Sequence, residues 1–233
     1  FEAYGAMMLM LSMILACSES NKMLDSTSEV DIVDSGTVRF VAIGDAGTGD
    51  EHQFAVATAV ENVCAEKGCD FALYLGDNFY EVGVNGIDDQ QFQDKFELPY
   101  SNLEIPFYAV LGNHDYGQMG VMWEPPTFQV QYSDVSEKWT MPDRYHSASN
   151  QHITLIGLDT NAIIWDSIFG GAQDQGDWFE STRTQSNTLW NIAFGHHPYV
   201  SNGQHGVAGE YDGLPSENPM AGVTWDNFVQ EHL

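Results

Sequence analysis

"FALYLGDNFY", residues 71–80, is the stretch on which the reading of this chain turns. Phe71 to Leu75 form an unbroken apolar run closed by a glycine, which is the signature of a fully buried strand. A turn after that strand needs only Gly76 and Asp77. Tyr80, three residues further on, adds a phenol beside the carboxylate at the strand's carboxyl end. In sheets built from strand–helix–strand units, that end is where ligands bind.

Working outward, the same pattern recurs. "VRFVAI" (38–43) reads as a strand and ends in "GDAGTGD" (44–50). A helix follows over 51–66, with Val56, Val60 and Val63 on one face and Gly68 suited to stop it. After strand 71–75 comes a helical stretch around "DQQFQDKFE" (89–97), then a strand "PFYAVL" (106–111) ending in "GNHD". "HITLIGL" (152–158) is another strand, followed by a helix near "DWFEST" (177–182). "LWNIAF" (189–194) is a strand ending in "GHHPYVSNGQHG" (195–206), and "WDNFVQEHL" (225–233) is helix-like. Repeated alternation of this kind implies a largely parallel sheet with its site at the strands' carboxyl ends. No internal repeat is present.

Four strand ends thus supply Asp45; Asp77 and Tyr80; Asn113, His114 and Asp115; and His196 with His205 nine residues later. Each motif alone is weak, since Gly-Asp and Asn-His-Asp suit ordinary turns. Together, in order, each carries oxygen or nitrogen donors. The series GDAG, GDNFY, GNHD and GHHP…GQHG resembles the calcineurin-like metallophosphoesterases. Within them it is most similar to the purple acid phosphatases of the small tartrate-resistant type. The likeness runs from about Val38 to the end.

The resemblance implies an α/β fold of two packed mixed β-sheets flanked by helices, a four-layer α/β/β/α sandwich. It also implies a dinuclear centre of Fe(III) plus Fe(II), Zn or Mn. Asp45 would bind the ferric ion, Asp77 would bridge both metals, and Tyr80 would bind iron as phenolate. Asn113 and His196 would hold the divalent metal. His114 and His205 would face the phosphate, and Asp115 would orient His114. Carboxylate and phenolate oxygens are hard donors suited to Fe(III), while imidazole and amide tolerate softer divalent ions. The implied activity is phosphomonoester hydrolysis, with a metal-bound hydroxide attacking phosphorus. A phosphodiesterase or nucleotidase of the same superfamily is one alternative, against which Tyr80 argues. A non-catalytic acidic surface lipoprotein is another, against which His114 and His205 argue.

Composition narrows the partners. The 233 residues carry 34 acids against 7 lysines and arginines, a net charge of −27. So few cations cannot build a basic patch, which excludes nucleic acid and anionic membrane surfaces as partners. The surface reads as a solvated acidic one. A small phosphorylated substrate would then need local positive charge, and a metal is the obvious source.

The termini read as cut. "AMMLMLSMILAC" (6–17) is too short to span a bilayer and has the length of a signal peptide's apolar region. Ile14-Leu15-Ala16-Cys17 resembles a bacterial lipobox, although no Lys or Arg precedes it. A plain secretion signal or a chance apolar run are the alternatives. Residues 1–17 are therefore expected to be a signal or lipobox segment, with a lipid anchor at Cys17. Residues 18–37 would be an acidic tether and 38–233 the catalytic domain, in an exported protein that is membrane-anchored, periplasmic or extracellular. The domain is expected to be C-terminally truncated. The family's closing Gly-His-x-His, one ligand for each metal, is not reached, and Glu231-His232-Leu233 does not match it.

The remaining residues carry plainer expectations. Cys64 and Cys69 are either a disulfide or two buried thiols. His52 and His197 are surface or packing histidines, and Asn78 and Phe79 are structural. The aromatics of residues 122–146 serve packing and loops in a segment resembling the family's linker between sheets. Asp50, Asp159 and Asp166 are caps or turns.

Overall fold

The strand after which the chain delivers Asp77 is buried at every position, and its two faces belong to different cores. The computed structural model describes residues 36–199 and 221–233. In it β1 (Phe40–Ile43), β2 (Phe71–Tyr74), β3 (Phe107–Ala109) and β4 (Trp139–Thr140) form a four-stranded sheet in that order, all parallel. β5 (His146–Asn150), β6 (Ile153–Gly157) and β7 (Trp190–Phe194) form a second sheet. There β5 and β6 are antiparallel and β6 and β7 parallel. The first sheet is thus wholly parallel and only the second is mixed.

Side chains alternate across a strand, so β2 turns Phe71 and Leu73 one way and Ala72 and Tyr74 the other. Phe71 and Leu73 meet Val110, Ile153, Leu155 and Phe194 in a core between the sheets. Ala72 and Tyr74 join Phe96, Phe107 and Trp139 in an aromatic-rich core on the outer face. Helix α1 (Glu51–Lys67) covers that face with Ala57, Val60 and Cys64. On the far side, Ile156 and Leu158 pack with α3 (Thr160–Ile164), α5 (Ala172–Gln185) and α6 (Ala221–His232) through Ile163, Phe179, Trp225 and Phe228. The two sheets lie between two helical layers, as the sandwich architecture requires.

Several local expectations are corrected. Helix α1 buries Gln53 and Ala57 and leaves Val56 and Val63 about half exposed, at 48% and 49%. Its register is fixed by Asp50, which caps the His52 and Gln53 amides, and by Gln53, whose amide group reaches out to Gly49 and Lys95. The helical stretch expected around 89–97 takes the form of a π-helical turn, Gln93–Glu97. A short helix α2 (Glu124–Tyr132) stands in the segment read as linker and loop, and Trp139 within that segment is fully buried. Helix α4 (Asp166–Phe169) completes the set. Strand β5 has no apolar alternation and joins β6 by a two-residue turn at Gln151 and His152. Cys64 and Cys69 are disulfide-bonded. So small a loop contributes roughly 2 kcal/mol by closure entropy.

The signal or lipobox segment, with Cys17, lies outside the described residues, as does all of the tether except Gly36 and Thr37. His205 also lies outside them. Among the described residues no helix is long and apolar enough to cross a membrane.

Candidate metal centre

The site begins with two aspartates in an uncommon backbone conformation. Asp45 and Asp77 follow Gly44 and Gly76 at the ends of β1 and β2, with φ of 55° and 53°. Few non-glycine residues adopt this left-handed region, and Asp is among those that do. The loops are stitched together by their backbones: Asp45 N donates to Gly76 O, Gly47 N to Asp77 O and Tyr80 N to Gly47 O. A Cβ on Gly47 would lie 2.2 Å from the Asn78 carbonyl, so only glycine admits this approach. The result brings one ligand atom each from Asp45, Asp77 and His196 within 4.8 Å of one another.

His196 enters from the end of β7. Its Nδ1 lies 2.9 Å from the Leu75 carbonyl, which can only accept, so Nδ1 carries the hydrogen. The lone pair is then on Nε2, which stands 3.5 Å from Asp77 Oδ1. The Tyr80 hydroxyl donates to Asp45 Oδ1 at 3.0 Å. Burial raises the Tyr80 hydroxyl pKa, and the charges of Asp77 and Asp45 raise it further. A cation held between those carboxylates would reverse that effect.

The third motif closes the site. Asn113 follows β3 and begins the 3₁₀ turn His114–Tyr116. The His114 amide donates to Asp77 Oδ1 at 2.9 Å, tying this turn to the buried aspartate. Its ring lies tilted against that of Tyr80, with centroids 4.5 Å apart, and its Nδ1 lies 2.7 Å from the Glu81 carbonyl. The Glu81 carbonyl is thus the group within hydrogen-bonding distance of the imidazole, while the carboxylate of Asp115 faces the Asp77 loop. Asp115 is wholly buried and accepts from the amides of Asn78, Phe79 and Gly112 and from Gln129 Nε2. Burial, and then the nearby Asp77, push its carboxyl up to about 6. It fixes the loop that carries Asp77. Asn78 is also buried, and its amide group donates to Val110 O and Gln129 Oε1.

Other residues are placed away from the donors. His197 is buried with Nδ1 2.7 Å from Thr160 Oγ1, and His52 is exposed. Asp50 caps α1, Asp159 caps α3 and Asp166 accepts from Ala172 N. His232 packs on α5, 3.7 Å from Glu180.

The donor set suits a metal. Donors about 2.1 Å from a shared ion stand roughly 3–4 Å apart. The spacing of Asp45, Asp77 and His196 needs only a small contraction to reach that range. The Leu75 and Glu81 carbonyls, which set the two histidine tautomers, escaped the sequence reading because backbone groups leave no side-chain signal.

Comparison with known proteins gives a consistent picture. The Calcineurin-like phosphoesterase family model matches residues 38–219. Tartrate-resistant acid phosphatase type 5 of Rattus norvegicus is 30% identical over 200 residues, covering 74% of this chain and 59% of that protein. The Homo sapiens protein of the same name is 28% identical over 197 residues, covering 72% of this chain and 58% of its own length. Purple acid phosphatase 3 of Arabidopsis thaliana is 29% identical over 191 residues, covering 73% and 50%. The chain thus spans between half and three-fifths of the length of these relatives. Among solved structures, GAP50, the anchor in the inner membrane complex of Plasmodium, superposes with a TM-score of 0.59 at 19% identity. That match covers 82% of this chain and 63% of the other and shows a shared fold.

Proposed function

Since the chain belongs to the calcineurin-like phosphoesterase family, we propose that it hydrolyses phosphate monoesters at a dinuclear centre of ferric iron with a divalent Fe, Zn or Mn partner. The observation that carries this reading is the convergence of Asp45, Asp77 and His196 within 4.8 Å, with the Tyr80 hydroxyl 3.0 Å from Asp45. Asp45, Asp77 and Tyr80 would hold the ferric ion. Asp77, Asn113 and His196 would hold the divalent one. When bound, such a pair supplies Lewis acidity toward phosphoryl oxygens and a water of lowered pKa.

The chain's own residues do the rest. The Leu75 carbonyl keeps Nδ1 of His196 protonated, so its Nε2 stays free to ligate. The Glu81 carbonyl does the same for His114, whose Nε2 is left to meet the phosphoryl group. In its imidazolium form that nitrogen donates a proton, which suits protonation of a leaving alkoxide and is worth about 10²–10⁴-fold. His205 is proposed as a second phosphate-facing histidine. Asp115 holds the Asp77 loop in place throughout.

The test uses the full-length gene product loaded with iron. A visible phenolate-to-Fe(III) absorption band is expected, and Tyr80→Phe is expected to abolish it. His114→Ala should lower turnover of an aryl phosphate monoester while metal content stays near that of the parent. A colourless, iron-free and fully active enzyme, or one that prefers diesters, would overturn the reading.

A further inference from the structure

Only 7 lysines and arginines occur in the chain, and one of them is wedged between the two loops that carry Asp45 and Tyr80. Lys95 lies in the π-helical turn Gln93–Glu97, and its side chain is half-buried. Its Nζ donates to the Tyr80 carbonyl and to Gln91 Oε1, the latter at 2.8 Å. Gln91 in turn donates from Nε2 to the Gly83 carbonyl at 2.9 Å. The ammonium and its amide neighbour thus grip both ends of the loop from Tyr80 to Gly83.

The same lysine also reaches the other loop. Its stem lies against Gly49, where an added Cβ would stand 3.0 Å from the lysine Cγ. Gly49 has φ of 74°, the left-handed region that favours glycine. The Lys95 carbonyl accepts from Gln53 Nε2 at 2.6 Å, and Gln53 Oε1 accepts from Gly49 N, also at 2.6 Å. Gln53 is buried in α1. One residue is therefore tied by backbone, stem and ammonium to the Asp45 loop, to the Tyr80 loop and to the helix between β1 and β2. π-helical turns are rare and concentrate at functional sites. Here both the carbonyl and the side chain of one residue in the turn enter tertiary bonds.

We infer that Lys95 is a positioning residue for the metal centre: it clamps the Tyr80 loop to the Asp45 loop and so fixes the phenol against the carboxylate. This rests on the reading of Tyr80 as a ligand. Neutral replacements would free the Tyr80 carbonyl and let the phenol drift from Asp45. Loss of an outer partner of this kind typically weakens metal binding by about 10–100-fold.

The experiment is a ferric-ion titration of the full-length protein, read by the visible phenolate band, for the parent and for Lys95→Met, Lys95→Arg and Gln91→Leu. Circular dichroism checks that each variant folds. Lys95→Met is expected to bind Fe(III) about 10–100-fold more weakly and to shift or broaden the band. Lys95→Arg, which keeps a charged donor, should recover most of the affinity. Gln91→Leu leaves Lys95 in place and should give a smaller change in the same direction, which keeps the inference testable if Lys95→Met does not fold. Parent-like affinity and band in both Lys95→Met and Gln91→Leu would overturn the positioning role. Absence of any band in the parent would instead overturn the assignment of Tyr80, and this inference with it.

Discussion

At the scale of single residues, the site depends on positions where a methyl group has no room. Gly112 precedes Asn113, and a Cβ there would lie 2.2 Å from Asp77 Oδ1 and 2.4 Å from Asp77 N. Neither side can yield freely: Asp77 Oδ1 is held by the His114 amide, and Gly112 itself is held by its N–H donating to Asp115 Oδ2 at 2.8 Å. Gly112→Ala must therefore push Asp77 off its position. Overpacking of this sort costs about 1–3 kcal/mol, and the displaced carboxylate should also weaken metal binding. Thermal unfolding and metal titration of the variant check this. Parent-like stability with parent-like affinity would show that the Asp77 loop gives way more easily than its hydrogen bonds imply.

At the scale of elements, His146 on β5 links the two sheets. Its Nε2 donates to the Ala109 carbonyl on β3 at 2.8 Å, and it is buried beneath Gly157. Burial lowers its pKa below the ordinary imidazole value. Its Nδ1 has no hydrogen-bond partner among the described residues, so a second proton there would be buried without an acceptor. A depressed folded pKa means that the unfolded chain binds the proton more readily. Stability from this group is thus complete above about pH 6.5 and is lost as pH falls from there. His146→Gln should lower stability at pH 7.5 but flatten the decline between about pH 6.5 and 5. Chemical denaturation at several pH values measures both effects, and an unchanged slope would mean that the decline belongs to other groups.

At the scale of the whole molecule, the charge of −27 is spread over a chain with few cations to offset it. Self-repulsion of that kind opposes the compact state, and salt screens it over a Debye length of about 10 Å at 0.1 M and 3 Å at 1 M. The melting temperature should therefore rise between 50 mM and 1 M sodium chloride. For a chain of this size each kcal/mol gained corresponds to about 2–4 °C. A melting temperature that stays flat or falls with salt would show that local ion pairs matter more than the net charge. Lys138 with Glu97 at 3.3 Å and Arg183 with Glu180 at 2.5 Å are pairs that salt would weaken.

The local sequence carried strands β1, β2, β3, β6 and β7 and where they stop, but not β4, which lies in the segment read as linker and loop. Apolar runs such as Phe71–Leu75 end at Gly-Asp or Gly-Asn because composition and period are local properties of the chain. It also offered Asp45, Asp77, Asn113 and His196, which follow strands within a few residues, and Tyr80 a little further on. Which face of α1 is buried follows from packing instead, because the cap at Asp50 and the reach of Gln53 outweigh the valine pattern. Strand β5, His-Ser-Ala-Ser-Asn, was illegible because it draws its order from pairing with β6 rather than from its own side chains. The histidine tautomers, the role of Asp115 and the clamp of Lys95 rest on backbone carbonyls and amides far apart in the chain. Those groups are the same in every residue, so only the fold, by bringing particular ones within hydrogen-bonding distance, could give them a function.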